Sequence, residues 1–360
     1  MMMPKVFLCL ALGVALAAPA AAQPAADRDD AVAARERARA ERRMAYQPGG
    51  EEQTDRQTRS LKLGPDGELS LHNIAGDIVV TKSGGNDATL EIVKTARGRT
   101  VEEARAMLER VEVSIVERDG RTEVRAVYRR GERGDTLPGE RDDRGGRGRR
   151  PQVSVAYTVA APARTRLSIG SVSGNVRVTD IRGDVSVNSV SGGVHIANAG
   201  RVAEAQSVSG NVEVLDSQLD GALEAQSVSG NVTVRKVQAR RVEAGSVSGS
   251  VLLQDLQSDR IEANSISGGI EFGGPLAKAG RYEFSTHSGN ARIVVAGGGG
   301  FELEARSFSG TVRSDLPLKG QTGGREDGPG RGHALNGTQG DGSAVLSITT
   351  FSGDITIARR

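Results

Sequence analysis

The residues with the widest chemical reach are six glutamates at one recurring position: Glu204, Glu224, Glu243, Glu262, Glu283 and Glu304. Each stands between the two apolar-slot residues of its segment, as in Leu223-Glu224-Ala225 and Ile261-Glu262-Ala263. On a strand, alternation sends such a residue outward while its neighbours point inward. Placed at the same point in six consecutive repeats, the glutamates form an outer column whose like charges repel unless they are neutralised. Arg241, Arg260 and Arg281, two residues ahead of Glu243, Glu262 and Glu283, lie on the same face and supply the ordinary answer. Glu204 and Glu224 lack such an arginine, which makes that end a candidate site for a cation (weak Ca2+ binding) or for a basic partner. The column could also supply carboxylates for glycoside cleavage, which needs two of them placed across a cleft.

Other chemistry is thin. His72, His195, His287 and His333 are scattered, and none falls beside Ser and Asp as a local triad. His287 takes a place that is Val in most repeats and is read as pointing inward, as a lone core or corner histidine. No metal-ligand spacing is present, so neither a metal nor a cofactor is expected. The glycines at Gly297–Gly300 sit in a β context rather than ahead of a helix, which argues against phosphate binding. Two serine ladders, one beginning Ser171, Ser189, Ser207 and the other Ser173, Ser191, Ser209, flank the glutamates and would satisfy one another or order water. Aromatic residues make up 3% of the chain, with no Trp, which speaks against sugar-stacking clefts and base-stacking surfaces. A formal charge of +2 gives no global pull toward polyanions, and no nucleic-acid partner is expected.

What must position these residues is a repeat. Ser171-Val172-Ser173-Gly174-Asn175-Val176 returns at Ser189, Ser207, Ser227 and Ser246, and as Ser265-Ile266-Ser267-Gly268-Gly269-Ile270. Weaker copies follow at Thr286 and Ser307, and Thr350-Phe351-Ser352-Gly353-Asp354-Ile355 closes the chain. The structural glycines of the repeat are Gly174, Gly192, Gly210, Gly230, Gly249, Gly268, Gly289, Gly310 and Gly353. From Gly174 to Gly310 they are 18 to 21 residues apart. Ahead of each phrase runs apolar–x–apolar (Val185/Val187, Ala203/Ala205, Val242/Ala244), and after each glycine another (Val212/Val214, Val232/Val234). Alternation with β-branched bias is a strand signal, and a fixed period of about 19 residues signals stacked coils. The expected fold is all-β: a parallel β-solenoid (β-helix) whose Val, Ile and Leu form interior columns. The Val of each SVSG phrase is counted among the inward residues, and Ile181, Val237, Leu256 and Leu276 are read as a third inward side. The glycine marks a corner needing positive φ or close chain approach.

Along the chain, residues 1–22 read as a signal peptide: Lys5, the apolar run Val6–Ala18, and cleavage near Ala22-Gln23. Cys9, the only cysteine, lies inside it. Residues 23–60 read as a charged linker or helix. Residues 61–128 form an irregular α+β N-terminal cap, with a degenerate repeat at Asn73-Ile74-Ala75-Gly76-Asp77-Ile78. The cap also holds a helix opened by Thr100-Val101-Glu102-Glu103, with Val101, Ala104, Met107, Leu108 and Val111 inward, and a hairpin across Asp119-Gly120. Residues 129–152 are an Arg/Gly-rich excursion expected to be disordered. Residues 153–318 carry the solenoid, 319–342 a Gly-rich loop and 343–360 the final repeat.

The SVSG phrases, the NIAGDIVV stretch at Asn73–Val80 and the closing TTFSGDITI resemble the DUF4097 family of exported, adhesin-like β-repeat proteins, over roughly residues 61–357. The resemblance implies a bacterial cell-envelope protein, in the periplasm or at the cell surface, with a binding, scaffolding or stress-related role. It brings no catalytic residues. The expected function is therefore non-enzymatic: Ser, Asn and Glu ladders presented to an envelope protein or polysaccharide. The alternative is a β-helix polysaccharide lyase or hydrolase using the Glu column.

Overall fold

The computed structural model describes residues 51–128, 153–322 and 333–360. Residues 1–22, read as a signal peptide, the charged stretch up to residue 50, the excursion 129–152 and residues 323–332 of the Gly-rich loop lie outside the described residues.

The repeat folds as the alternation requires. Each coil gives one strand to a 14-stranded sheet that carries the glutamates and one to a 13-stranded sheet opposite, and equivalent strands pair in parallel. Val187 lies beside Ile169, Ala225 beside Ala205 and Ala263 beside Ala244 on the first sheet. Val212 lies beside Val194 and Val232 beside Val212 on the second. These residues are buried, so the two inner faces form one continuous apolar core. Ile181, Val237 and Leu256 close its third side and Leu276 packs partly against it. The protein is a parallel β-solenoid with a mixed N-terminal end. One apolar pair is displaced from its expected place. A β-bulge follows Val202, so Val202 and Ala205 point inward while Ala203 is exposed. The bulge lets the chain insert one residue without turning the rest of the strand inside out.

At the Ser-Gly corner the orientation expected from hydrophobicity is reversed. Ser207 is buried and Val208 is 45% exposed. The inward Ser207 hydroxyl accepts the Gly210 N–H at 2.9 Å and donates to the Gly192 carbonyl of the preceding coil at 2.9 Å. Ser227, Ser246, Ser265 and Thr286 repeat this latch. An apolar side chain in the serine slot would strand a buried carbonyl and a buried N–H, which decides the matter against Val. The glycine is required by close approach: a Cβ on Gly210 would lie 2.1 Å from the Gly192 carbonyl oxygen. Of the nine structural glycines only Gly174 has positive φ, at 133°. The left-handed positions fall at the other corner, on Asp180, Asn198, Asp216, Lys236 and Asp255.

At the N-terminal end, the strands Glu68–Ala75 and Ile78–Lys82 form a true first coil, paired with the coil that starts at Arg166. Thr100 caps the helix Val101–Glu109: its hydroxyl accepts the Glu103 N–H at 3.2 Å, and the Glu103 carboxylate accepts the Arg99 N–H at 2.7 Å. Ala104 and Val111 are buried, Met107 and Leu108 pack partly against the core, and Val101 is only half-buried. The strands Val111–Arg118 and Arg121–Tyr128 pair across Asp119-Gly120, both at positive φ. A strand at Glu51–Leu61 occupies the end of the stretch read as linker or helix. It pairs antiparallel with Ala88–Gly98 and forms the edge of the 13-stranded sheet. Its charged sequence suits an edge that must not recruit another strand.

The C-terminal end departs further from expectation. Within the stretch read as a Gly-rich loop, Lys319–Thr322 and His333–Gln339 are strands, the second antiparallel to Phe301–Ser307. The final repeat does not stack last. Its strand Ala344–Thr350 slots between Arg281–Thr286 and Phe301–Ser307, and Ile355–Arg359 slots between Ala291–Ala296 and Val312–Ser314. The spatial order of the last three coils is therefore 281–296, 344–359, 301–314.

Candidate functional site

That order rebuilds the glutamate column. Glu204, Glu224, Glu243, Glu262 and Glu283 are adjacent in register, but Ser347 stands between Glu283 and Glu304. Toward the N terminus the row continues as Ser186, Ser168 and Ser70. Arg241 bridges Glu243 and Glu262, Arg281 pairs with Glu283, and Arg306 with Glu304 at 2.7 Å. Glu204 and Glu224, which lack arginines, are held by neutral donors. The Ser186 hydroxyl and the Asn188 amide reach Glu204 at 3.3 Å, and the Gln226 amide reaches Glu224 at 2.8 Å. Among the described residues, no three His, Cys, Asp or Glu side chains converge to hold a metal ion.

The histidines are not brought together. His72 and His287 lie at opposite ends of the Glu-bearing sheet, and His195 is on the other sheet, 3.0 Å from Glu213. His333 begins the strand beside Phe301–Ser307.

The feature that sequence reasoning missed is a row of outward apolar side chains. The residues assigned to the interior at the second place of each phrase stand outside: Val172, Val190, Val208, Val228, Val247 and Ile266, each 41–52% exposed. His287, Phe351 and Phe308 continue the row. Each backbone N–H along it bonds the carbonyl of the preceding coil, from Val190 on Ser171 to Phe308 on Thr350. His287 does not enter the core; its ring stacks on Phe351 with centroids 4.7 Å apart, and Phe351 stacks on Phe308 at the same distance. Three aromatic rings are thus gathered in a chain that has few, because the final coil slots between the other two. Strict alternation from the buried Val187 places Ser189 inward and Val190 outward, so the signal was present in the parity of the strand.

Two ladders flank the apolar row. On one side are nine serines, from Ser173 and Ser191 through Ser352 to Ser309. On the other run Gly170, Asn188, Gln206, Gln226, Gly245 and Asn264, then Ser285, Thr349 and Arg306. Between the apolar and glutamate rows lies an open groove of ≈ 1460 Å³ along the sheet. The strand at His333–Gln339 contributes Ala334 and Asn336 to its lining. Of the 27 side-chain positions in the three rows, only His287 and Arg306 are basic and none is acidic, in a chain that is 26% charged. A long exposed apolar row bordered by neutral polar groups, with charge kept to the rim, has the composition of an interaction surface.

Beyond the corner lies a further ladder. The side-chain oxygen of Asn211 accepts the Asn231 N–H at 2.9 Å, and that of Asn231 accepts the Ser250 N–H at 2.9 Å. At its C-terminal end Asp354 accepts both the N–H and the hydroxyl of Thr311 at 2.8 Å, which holds its carboxyl below the usual carboxylate range.

A family model, Toastrack DUF4097, matches residues 66–251 and again 223–358. The chain belongs to the Toastrack DUF4097 family. The two matches span the solenoid from its first coil to the inserted last one, so the likeness read from the SVSG phrases holds across the described fold. Among solved structures, this Toastrack chain is similar to a candidate adhesin from Bacteroides fragilis, with 14% identity and a TM-score of 0.41, over 84% of this chain and 97% of that one. It is also similar to a candidate lipid-binding protein from Parabacteroides distasonis, with 14% identity and a TM-score of 0.40, over 84% and 96% of the two chains. A candidate adhesin from the same organism has 10% identity and a TM-score of 0.39, over 85% and 97%. A search of curated proteins gave no match. Among the described residues, no helix is long and apolar enough to cross a membrane.

Proposed function

We propose that this Toastrack protein is a non-enzymatic binding and scaffold module, exported to the periplasm or cell surface, that recognises an elongated partner through the uncharged face of its Glu-bearing sheet. The partner class is an envelope protein or polymer. The observation that carries this reading is the unbroken outward row from Val172 to Phe308, which leaves large apolar side chains 41–52% exposed beside a groove of ≈ 1460 Å³. Exposing them costs solubility and contributes nothing to the core, so their use lies outside the monomer.

The arrangement of carboxylates favours binding over cleavage. A glycosidase sets two carboxyl groups on opposite sides of the bond it breaks. Here the glutamates lie on one side of the groove in a single row, Glu243 and Glu262 share Arg241, and the facing row is Val, Ile, His and Phe. The test is retention of the full chain on isolated envelope fractions, with released saccharide followed in the same tubes. Saturable retention that falls at least tenfold in Val208→Ser/Val228→Ser, with no product, supports the reading. Product accumulating with time overturns it in favour of the lyase or hydrolase alternative.

A further inference from the structure

We infer that the partner this face fits best is a second copy of the chain, docked face to face and parallel about a two-fold axis that runs along the solenoid. The inference deepens the reading of this face as a binding surface and rests on it.

Repeat matching comes first. The rows present side chains at the strand spacing of about 4.8 Å over eight intervals, so the face is about 38 Å long. A partner that packs along its whole length must carry the same repeat, and another copy does so by construction. The face is also self-complementary: an outward apolar row, with a serine ladder on one side and on the other a groove lined by Asn188, Gln206, Gln226 and Asn264. An isologous pair with its two-fold along the apolar row lays the two rows together and sets the serine ladder of each copy over the groove of the other. With the glutamate rim included, the face is about 20 Å wide, roughly 760 Å² per copy, close to the about 800 Å² per partner of a stable interface.

Charge selects the orientation. If the two-fold ran across the solenoid, the copies would lie antiparallel and each glutamate row would face the other. Glu204 would meet Glu283, Glu224 would meet Glu262, and Glu243 would meet its own equivalent. Like charges opposed at an interface are costly. With the two-fold along the solenoid the order of rows is reversed in the partner. The serine ladder then meets the amide ladder, Glu204 meets Asn211, Glu224 meets Asn231 and Glu283 meets Asn290. The side-chain oxygens of those asparagines already accept N–H groups of their own chain. The asparagines are exposed, which leaves their NH2 groups as the donors that carboxylates need. The aromatic ends also coincide, His287, Phe351 and Phe308 of one copy beside those of the other.

Site-specific cross-linking of the full chain in a Cys9→Ser background separates the geometries. In a parallel pair every residue of the row lies near its own equivalent, so Val190→Cys and Val247→Cys should each give covalent dimers with a short bismaleimide. Glu271→Cys, on the opposite sheet, should give none. Light scattering should show a dimer mass that Val228→Lys halves, with the melting temperature unchanged when both chains are compared at a dilution where the parent is monomeric. Dimers from Val247→Cys alone would mean antiparallel packing and would overturn the proposal. So would a monomer mass at the highest soluble concentration with no cross-link at either position. If the chain is monomeric and Val228→Lys still abolishes retention on envelope fractions, self-pairing falls while the binding reading stands. If Val228→Lys changes neither mass nor retention, both fall.

Discussion

Ser227 and Val228 are neighbours in one phrase and do opposite work. The serine side chain is buried and holds two coils together; the valine side chain stands 44% exposed and stays out of the core. The usual assignment of polar to outside and apolar to inside is inverted in eight of nine coils, the ninth carrying His287 outside. Inside, the backbone of the corner has N–H and carbonyl groups that only a hydroxyl of that size can satisfy. Outside, the valine answers to no internal demand, which is why its persistence points to a partner. Stability and recognition are thus written on alternate residues of the same four-letter phrase and should be separable by mutation.

The largest effect should come from the inner corner. Gly230→Ala would set a Cβ 2.0 Å from the Gly210 carbonyl oxygen, against backbone atoms of the preceding coil that cannot swing aside as a side chain would. Coils must part there, and a loss of about 3 kcal/mol or more, read by urea unfolding, is expected. Next, Ser227→Ala should cost about 1–3 kcal/mol, since it strands the Gly230 N–H and the Gly210 carbonyl. Ser227→Thr, which keeps the hydroxyl as Thr286 does, should recover most of it.

A smaller effect belongs to Asp354, where the inserted coil meets its neighbour. Its folded pKa is lowered, chiefly by the Thr311 N–H and then by the Thr311 hydroxyl. Its contribution is therefore present above the ordinary carboxylate pKa and is lost as pH falls through the lower folded value. Asp354→Asn should flatten that part of the acid-side stability profile in thermal melts between neutral and acidic pH. The smallest effect on stability should be at the outer row: in dilute, monomeric chain Val228→Ser should shift unfolding by within about 0.5 kcal/mol, as surface changes do. If Val228→Ser proves as costly as Ser227→Ala, the division between the two rows is wrong.

Calcium tests the remaining expectation for the glutamates. Glu204 and Glu224 already receive neutral donors from Ser186, Asn188 and Gln226. Millimolar CaCl2 should therefore leave the melting temperature unchanged, and a rise abolished by Glu204→Gln/Glu224→Gln would restore a cation site.

Much of this molecule was determined by its sequence alone. The period, the paired apolar residues and the recurrent glycine dictate parallel stacked coils, because a unit of that size cannot bury its apolar face without neighbours. The capping box and the Asp119-Gly120 turn are legible for local reasons, since their partners lie within a few residues. The columns Val185/Val187 and Val212/Val214 follow from alternation. Only the tertiary structure decided the rest. The strand at Glu51–Leu61 has almost no apolar pattern and exists because Ala88–Gly98 offers it an edge. The Val row lies outside because the buried corner needs the serine more than the core needs another methyl group. The slot of the final repeat sets Ser347 between Glu283 and Glu304 and Phe351 between His287 and Phe308. Chain order cannot reveal it, because parallel pairing recognises register and side-chain shape, and coils built on one phrase fit one another's slots wherever they fall in the chain.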